Sequence, residues 1–209
     1  MKCERIPLGA QGAYLDTYFL ADSPELKAGA CRPAVVVCPG GGYAYTSDRE
    51  AEPIALALCA RGFHACVLRY PCAPARFPAA LRALAEAVAW VRAGAAENHV
   101  DPRQISVCGF SAGGHLAGSL GVFWNAPFLA AETGLAPQDM RPDKMVLCYP
   151  VITGGEFAHK GSFDNLLGAD ADAARRAEVS LEQHVTQDTP PAFLWHTYTD
   201  PGVPVENTM

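Results

Sequence analysis

Three stretches of this 209-residue chain combine residue types suited to nucleophilic attack by a serine side chain. The first is Gly109-Phe110-Ser111-Ala112-Gly113. The apolar run Ile105-Ser106-Val107-Cys108 leads into it, and Gly114-His115-Leu116-Ala117-Gly118 leads out. A buried strand, a Gly-x-Ser-x-Gly turn and a small-residue helix, in that order, form the layout of a nucleophile elbow. A serine hydroxyl is a weak nucleophile. It needs a base, an acid to orient the base, and donors for the oxyanion that develops. The second stretch, Pro39-Gly40-Gly41-Gly42-Tyr43, follows the apolar run Val35–Cys38. Glycines at the carboxyl end of a strand let the backbone approach a ligand and aim N–H groups at negative charge. A phosphate-binding loop would need a Gly-Lys-Ser/Thr next, and none follows; a plain connecting loop is the other alternative. The third stretch runs from Trp195 to Pro204 and presents Asp200 beyond a short strand. Its place after Ser111 suits the chain order serine, acid, histidine, although an Asp-Pro pair is also a common turn.

The elements that must position these groups alternate along the chain. Val35–Cys38, Ala65–Leu68, Ile105–Cys108, Met145–Tyr149 and Ala192–Trp195 read as buried strands. Helices are expected from Glu52, with Pro53 at its first turn, to Arg61, and over Pro78–Ala93, where Leu81, Leu84, Val88 and Val91 recur at helical spacing. A capping box from Ser47 to Glu50 is the alternative start for the earlier helix. Asp101-Pro102 reads as a turn. Lys2–Ile6 and Tyr14–Leu20 read as antiparallel strands joined by a turn at Gly9–Gly12. The sum is an α/β fold, a mostly parallel sheet with helices on both faces and loops at the strands' carboxyl ends to carry the chemistry. One domain over residues 1–209 is expected, with an insertion of short helices at about 152–189.

Composition narrows the function classes. Half the residues are hydrophobic and 18% are charged, which fits a packed core rather than disorder. The net charge is −6 with no basic patch, so no nucleic-acid partner is expected. Eight cysteines show neither Cys-x-x-Cys pairs nor zinc spacing, so no metal or cofactor is expected. Reduced thiols and the absence of an apolar leader point to a cytoplasmic setting. Residues 105–131 carry no Asp, Glu, Lys or Arg, yet five glycines, three serines and a histidine fit a buried strand and helix better than a membrane span. The oligomeric state is left open.

Taken together, Cys38–Tyr43, Ser47-Asp48-Arg49-Glu50, Leu68-Arg69-Tyr70, Gly109–Ala117 and the Trp195–Pro204 loop resemble an α/β-hydrolase, most closely the bacterial acetylesterases and xylan-esterase-like hydrolases. The resemblance spans nearly the whole chain. It implies hydrolysis of small acyl esters, acetyl esters above all, including those of sugars. It implies Ser111 as nucleophile, Asp200 as triad acid, and Gly41, Gly42 and Ala112 as oxyanion donors. Tyr43 and Tyr45 are expected, with the 152–189 segment, to wall the substrate pocket.

The chain departs from that pattern in one respect. The family's base is a histidine on a loop beyond one further strand, and no histidine follows Asp200. A truncated domain with impaired activity is therefore expected, since loss of one triad member leaves only about 10³–10⁴-fold over water. His115 is expected to pack beneath the elbow and His196 to shape the Asp200 loop. His64, His99, His159 and His184 read as surface or loop residues. Two other functions compete: a non-catalytic binding module that keeps the pocket, and a peptidase of the prolyl-oligopeptidase type.

Overall fold

The computed structural model describes residues 1–10 and 12–209. Its seven-stranded sheet follows the order β1-β2-β4-β3-β5-β6-β7. β1 (Lys2–Pro7) and β2 (Tyr14–Phe19) form the expected antiparallel pair, and β2 also runs antiparallel to β4. The turn expected at Gly9–Gly12 includes Gln11, which lies outside the described residues. A single turn of helix, α1 (Pro24–Lys27), precedes β3 (Arg32–Cys38). The helices α2 (Glu52–Cys59) and α3 (Ala79–Ala93) flank β4 (His64–Arg69) in sequence. β5 (Val100–Phe110) leads into α4 (Ala112–Phe123). Two short helices, α5 (Pro127–Thr133) and α6 (Pro137–Met140), then lead to β6 (Lys144–Cys148). The segment before β7 (Ala192–Trp195) holds α7 (Lys160–Leu167) and α8 (Ala173–Ala177).

β3 to β7 are all parallel. Their carboxyl ends (Cys38, Arg69, Phe110, Cys148 and Trp195) therefore share one edge of the sheet, where ligands meet open α/β sheets. Alternation along β3 sorts its side chains. Ala34, Val36 and Cys38 enter the larger core beneath α3 and α4, while Val35 and Val37 face α2. α3 shows why its spacing predicts a helix: Leu81, Leu84, Val88 and Val91 are all buried on its inner side.

Local departures from the sequence expectation, and one agreement with it, have physical causes. β5 begins at Val100 rather than Ile105, because the Asp101 carboxylate accepts the Arg103 N–H at 3.0 Å and absorbs the proline as an irregularity between Arg32 and Ala34 of β3. α2 starts at Glu52 with proline in its first turn, as expected. No capping box forms, because the Glu50 carboxylate is turned away to the glycine loop. α5 and α6 lack a strong apolar period, and the sequence gives little sign of them. Each begins at a proline after an extended alanine. β7 occupies one sheet edge, and its side chains Phe193 and Trp195 are 63% and 47% exposed. Among the described residues, no helix is long and apolar enough to cross a membrane.

Candidate active site

Ser111 stands between β5 and α4 with φ 53° and ψ −118°. A positive φ is costly for a residue with a Cβ, on the order of 1–3 kcal/mol, and persists only where neighbours enforce it. Here the enforcement is visible. The Ser111 N–H donates to the Cys148 carbonyl at 3.0 Å, and its own carbonyl accepts from His115 and Val151 at 3.1 and 3.0 Å. The flanking glycines are required by close approach. A Cβ on Gly109 would lie 2.1 Å from the Gly113 carbonyl oxygen. A Cβ on Gly113 would lie 2.1 Å from the Cys38 carbonyl oxygen and 2.5 Å from that of Pro39. The elbow thus presses directly on the end of β3, where the glycine loop starts.

That loop is fixed at nearly every carbonyl. Tyr70 Oη donates to the Pro39 carbonyl at 2.5 Å, Ser47 N–H to that of Gly40 at 2.9 Å, and Asn165 Nδ2 to that of Gly42 at 2.9 Å. Gly41 has φ 132°, and a Cβ there would meet the Tyr45 carbonyl oxygen at 2.2 Å. Glu50 completes the clamp. One carboxylate oxygen accepts the Gly40 N–H at 2.7 Å, and the other accepts the Tyr149 hydroxyl at 2.9 Å. Burial first, then Glu50, raises the pKa of that tyrosine. By contrast, the amides of Gly41, Gly42 and Ala112 make no hydrogen bond among the described residues. Ala112 is the first residue of α4, where an amide has no intrahelical acceptor.

A pocket of about 430 Å³ opens at this edge of the sheet. Gly41, Gly42, Glu50, Ser111, His159 and Asp200 line it together. Asp200 Oδ1 accepts the N–H groups of Gly202 and Val203 at 2.8 and 2.9 Å. Burial pushes the carboxyl up, but those two bonds, with His196 and His159 nearby, outweigh it and hold the pKa below the usual value. The residues expected at the site are therefore brought together, with one exception. Tyr43 is 3% exposed and turns beneath the loop, where its hydroxyl bonds His115 Nδ1 at 2.8 Å. It is a core residue, and the exposed Tyr45 lines the pocket instead. The physical reason is the backbone: φ of 58° at Tyr43 sends the ring inward onto Tyr70 and His115.

The histidines divide by what their ring nitrogens already do. His115 is buried, with Nε2 donating to the Val179 carbonyl at 2.8 Å and Nδ1 accepting from Tyr43. Burial lowers its pKa to about 4, against the opposing Val179 bond. His196 receives Thr208 Oγ1 at 2.7 Å on Nδ1 and donates through Nε2 to the Val203 carbonyl at 3.0 Å. Asp200 Oδ2 stands 3.6 Å from that nitrogen, beyond a hydrogen bond. His64 and His99 sit at the amino ends of β4 and β5, the wrong edge of the sheet. Among the described residues only His159 reaches the pocket. Its sequence reading is a surface or loop histidine, since the segment after β6 is weakly patterned and gives no sign of the pocket. Glu50 was equally unforeseen as a clamp, although its place in Ser47-Asp48-Arg49-Glu50 marked it.

The model of the BD-FAE family matches residues 22–209. The chain is 37% identical over 186 residues to endo-1,4-beta-xylanase B of Butyrivibrio fibrisolvens, covering 85% of this chain and 28% of that protein. It is 29% identical over 197 residues to the acetylxylan esterase of Xylanibacter ruminicola, covering 90% of this chain and 36% of that one. It thus spans less than half the length of either curated relative. Among solved structures, an acetyl ester-xyloside bifunctional hydrolase from Caldicellulosiruptor lactoaceticus superposes with a TM-score of 0.84 at 36% identity, over 98% of this chain and 78% of that one. The carboxylesterase Cest-2923 from Lactobacillus plantarum gives 0.84 at 30% identity, over 100% and 76%. The chain therefore belongs to the BD-FAE family and has the fold of the esterase-type α/β-hydrolases.

Proposed function

We propose that the protein is a serine carboxylic-ester hydrolase for small acyl groups, acetyl above all, carried on the hydroxyls of sugars. The observation that carries this is the strained Ser111 facing a pocket shared with Gly41, Gly42 and Asp200. Ser111 Oγ attacks the ester carbonyl, its proton passing to water; the tetrahedral intermediate then collapses, the C–O bond to the alcohol breaks, and the leaving oxygen takes a proton from water. The free amides of Gly41, Gly42 and Ala112 receive the oxyanion, a stabilisation worth on the order of 3 kcal/mol per donor in such sites. Asp200 takes the place of the triad acid, with its depressed pKa keeping it charged at neutral pH. The acetyl preference follows from the relatives named for acetyl esters and acetylxylan.

None of the six histidines offers a free ring lone pair to Ser111 from inside the pocket. In this reading these 209 residues supply nucleophile, oxyanion donors and acid but work without a base, and turnover is impaired. Hydrolysis of p-nitrophenyl acetate should then be slow but abolished by Ser111→Ala. Ordinary esterase turnover would contradict the missing base, and a rate indifferent to Ser111→Ala would contradict the nucleophile. The same histidine geometry favours a second reading, a binding module that keeps the pocket without the chemistry. A fluorophosphonate separates the two, because a serine facing the oxyanion amides is labelled slowly even without the base, whereas a binding module leaves it unmodified.

A further inference from the structure

His159 lines the pocket, yet its side chain has no part in the chemistry above. It is the N-cap of α7, and the geometry of that helix fixes its chemistry. Nδ1 accepts the Ser162 N–H at 3.3 Å and lies 2.8 Å from Ser162 Oγ. The Ser162 N–H is shared between Nδ1 and the His159 carbonyl, the latter at 3.0 Å; that shared donor favours a lone pair on Nδ1, which leaves the proton of the neutral ring on Nε2. Nε2 makes no hydrogen bond among the described residues. Residues 159, 162 and 165 recur every three positions and so lie on one side of the helix. Ser162 holds the imidazole, while Asn165 holds the Gly42 carbonyl. The ring is thereby fixed relative to the oxyanion amides rather than free on a loop.

A proton on Nε2 disqualifies the ring as base for Ser111, yet it makes an aimed donor beside the reacting ester. The wall around it is polar or aromatic: Arg49, Ser47, Tyr45 and Tyr149. Such a wall suits a hydroxylated alcohol better than an alkyl chain, because buried hydroxyls need partners. We infer that His159 is a substrate-positioning residue, donating from Nε2 to an oxygen on the alcohol side of the bound ester, with a sugar hydroxyl or ring oxygen as acceptor. This rests on the reading of Ser111 as the nucleophile that faces the same pocket.

The test uses two readouts that do not depend on turnover. In ¹⁵N-histidine-labelled protein, two-bond ¹H–¹⁵N spectra of the neutral ring should find the His159 proton on Nε2. Titration with a methyl O-acetyl-xyloside should shift that nitrogen. His159→Phe should weaken binding of the xyloside about 5–10-fold, the contribution of one neutral hydrogen bond. His159→Gln, whose amide N–H reaches the same place, should restore most of it. Thermal melting of both variants reports whether α7 stays folded. A proton on Nδ1, an unshifted Nε2, no xyloside binding by the wild type, or wild-type affinity in folded His159→Phe would each overturn the inference. Fluorophosphonate labelling of wild-type Ser111 is read separately. If it fails, the nucleophile assignment falls; if it succeeds while the histidine results fail, only the role of His159 falls.

Discussion

Substituting alanine for Gly113 tests how the elbow and the glycine loop are held at working distance. A Cβ at this position would stand 2.1 Å from the Cys38 carbonyl oxygen, whereas Cβ contacts under 3.0 Å are essentially never found. Both partners are backbone, so no side chain can swing away. α4 and the end of β3 must part by about 0.9 Å, a forced overpacking that costs about 1–3 kcal/mol. For a chain of this length the melting temperature should fall by about 3–10 °C. The functional effect should be larger. A misplacement near 1 Å between reacting groups costs about 10²-fold, so fluorophosphonate labelling of Ser111 should slow by about that factor. Gly29→Ala is the control. Gly29 also has a positive φ, 66°, but nothing lies within 4 Å of its added Cβ. It should lose only about 1 kcal/mol to backbone strain and label at the wild-type rate. If Gly113→Ala labelled and melted like Gly29→Ala, direct backbone contact would not be what sets the spacing of nucleophile and oxyanion amides.

Three further outcomes follow from individual contacts. Glu50→Ala removes the acceptor of the Gly40 N–H and of the Tyr149 hydroxyl; urea unfolding should show a loss of about 1.5–3 kcal/mol for the charge-assisted bond, and Glu50→Gln, which retains one acceptor, should lose less. Tyr43→Phe should destabilise by about 1–3 kcal/mol, because His115 Nδ1 loses its buried donor, while Ser111 labelling holds; slowed labelling would restore Tyr43 to the substrate. The folded pKa of His115 near 4 lies below the ordinary 6.5, so the unfolded chain binds more protons in between. Stability should accordingly be full above pH 6.5 and fall toward pH 4 by up to about 3 kcal/mol. His64, also lowered by burial, acts in the same direction. His115→Gln should flatten this slope, and an unchanged slope would refute the assignment.

The legible part of the molecule was the part whose residues serve local geometry. The elbow could be read because Gly109 and Gly113 have no room for a Cβ and Ser111 must adopt a positive φ, a demand that leaves a five-residue trace. The parallel strands could be read because strands buried on both faces become short continuous apolar runs such as Val35–Cys38. What escaped depended on distant partners. Nothing local marks His159 as a pocket residue; it gets there because α7 folds back so that Asn165 meets Gly42 across 123 positions. Tyr43 was assigned to the pocket by proximity to the glycines, but one left-handed residue turned it inward. Glu50 looked like a helix cap, since spacing alone cannot tell a carboxylate facing its own helix from one facing another loop.

The most direct test of the central claim is to treat the wild-type chain with a fluorophosphonate and map the adduct by peptide mass. The account predicts a single, slowly formed adduct, on Ser111, absent from Ser111→Ala and slowed further in Gly113→Ala. An unmodified Ser111, or an adduct at another residue, would contradict it.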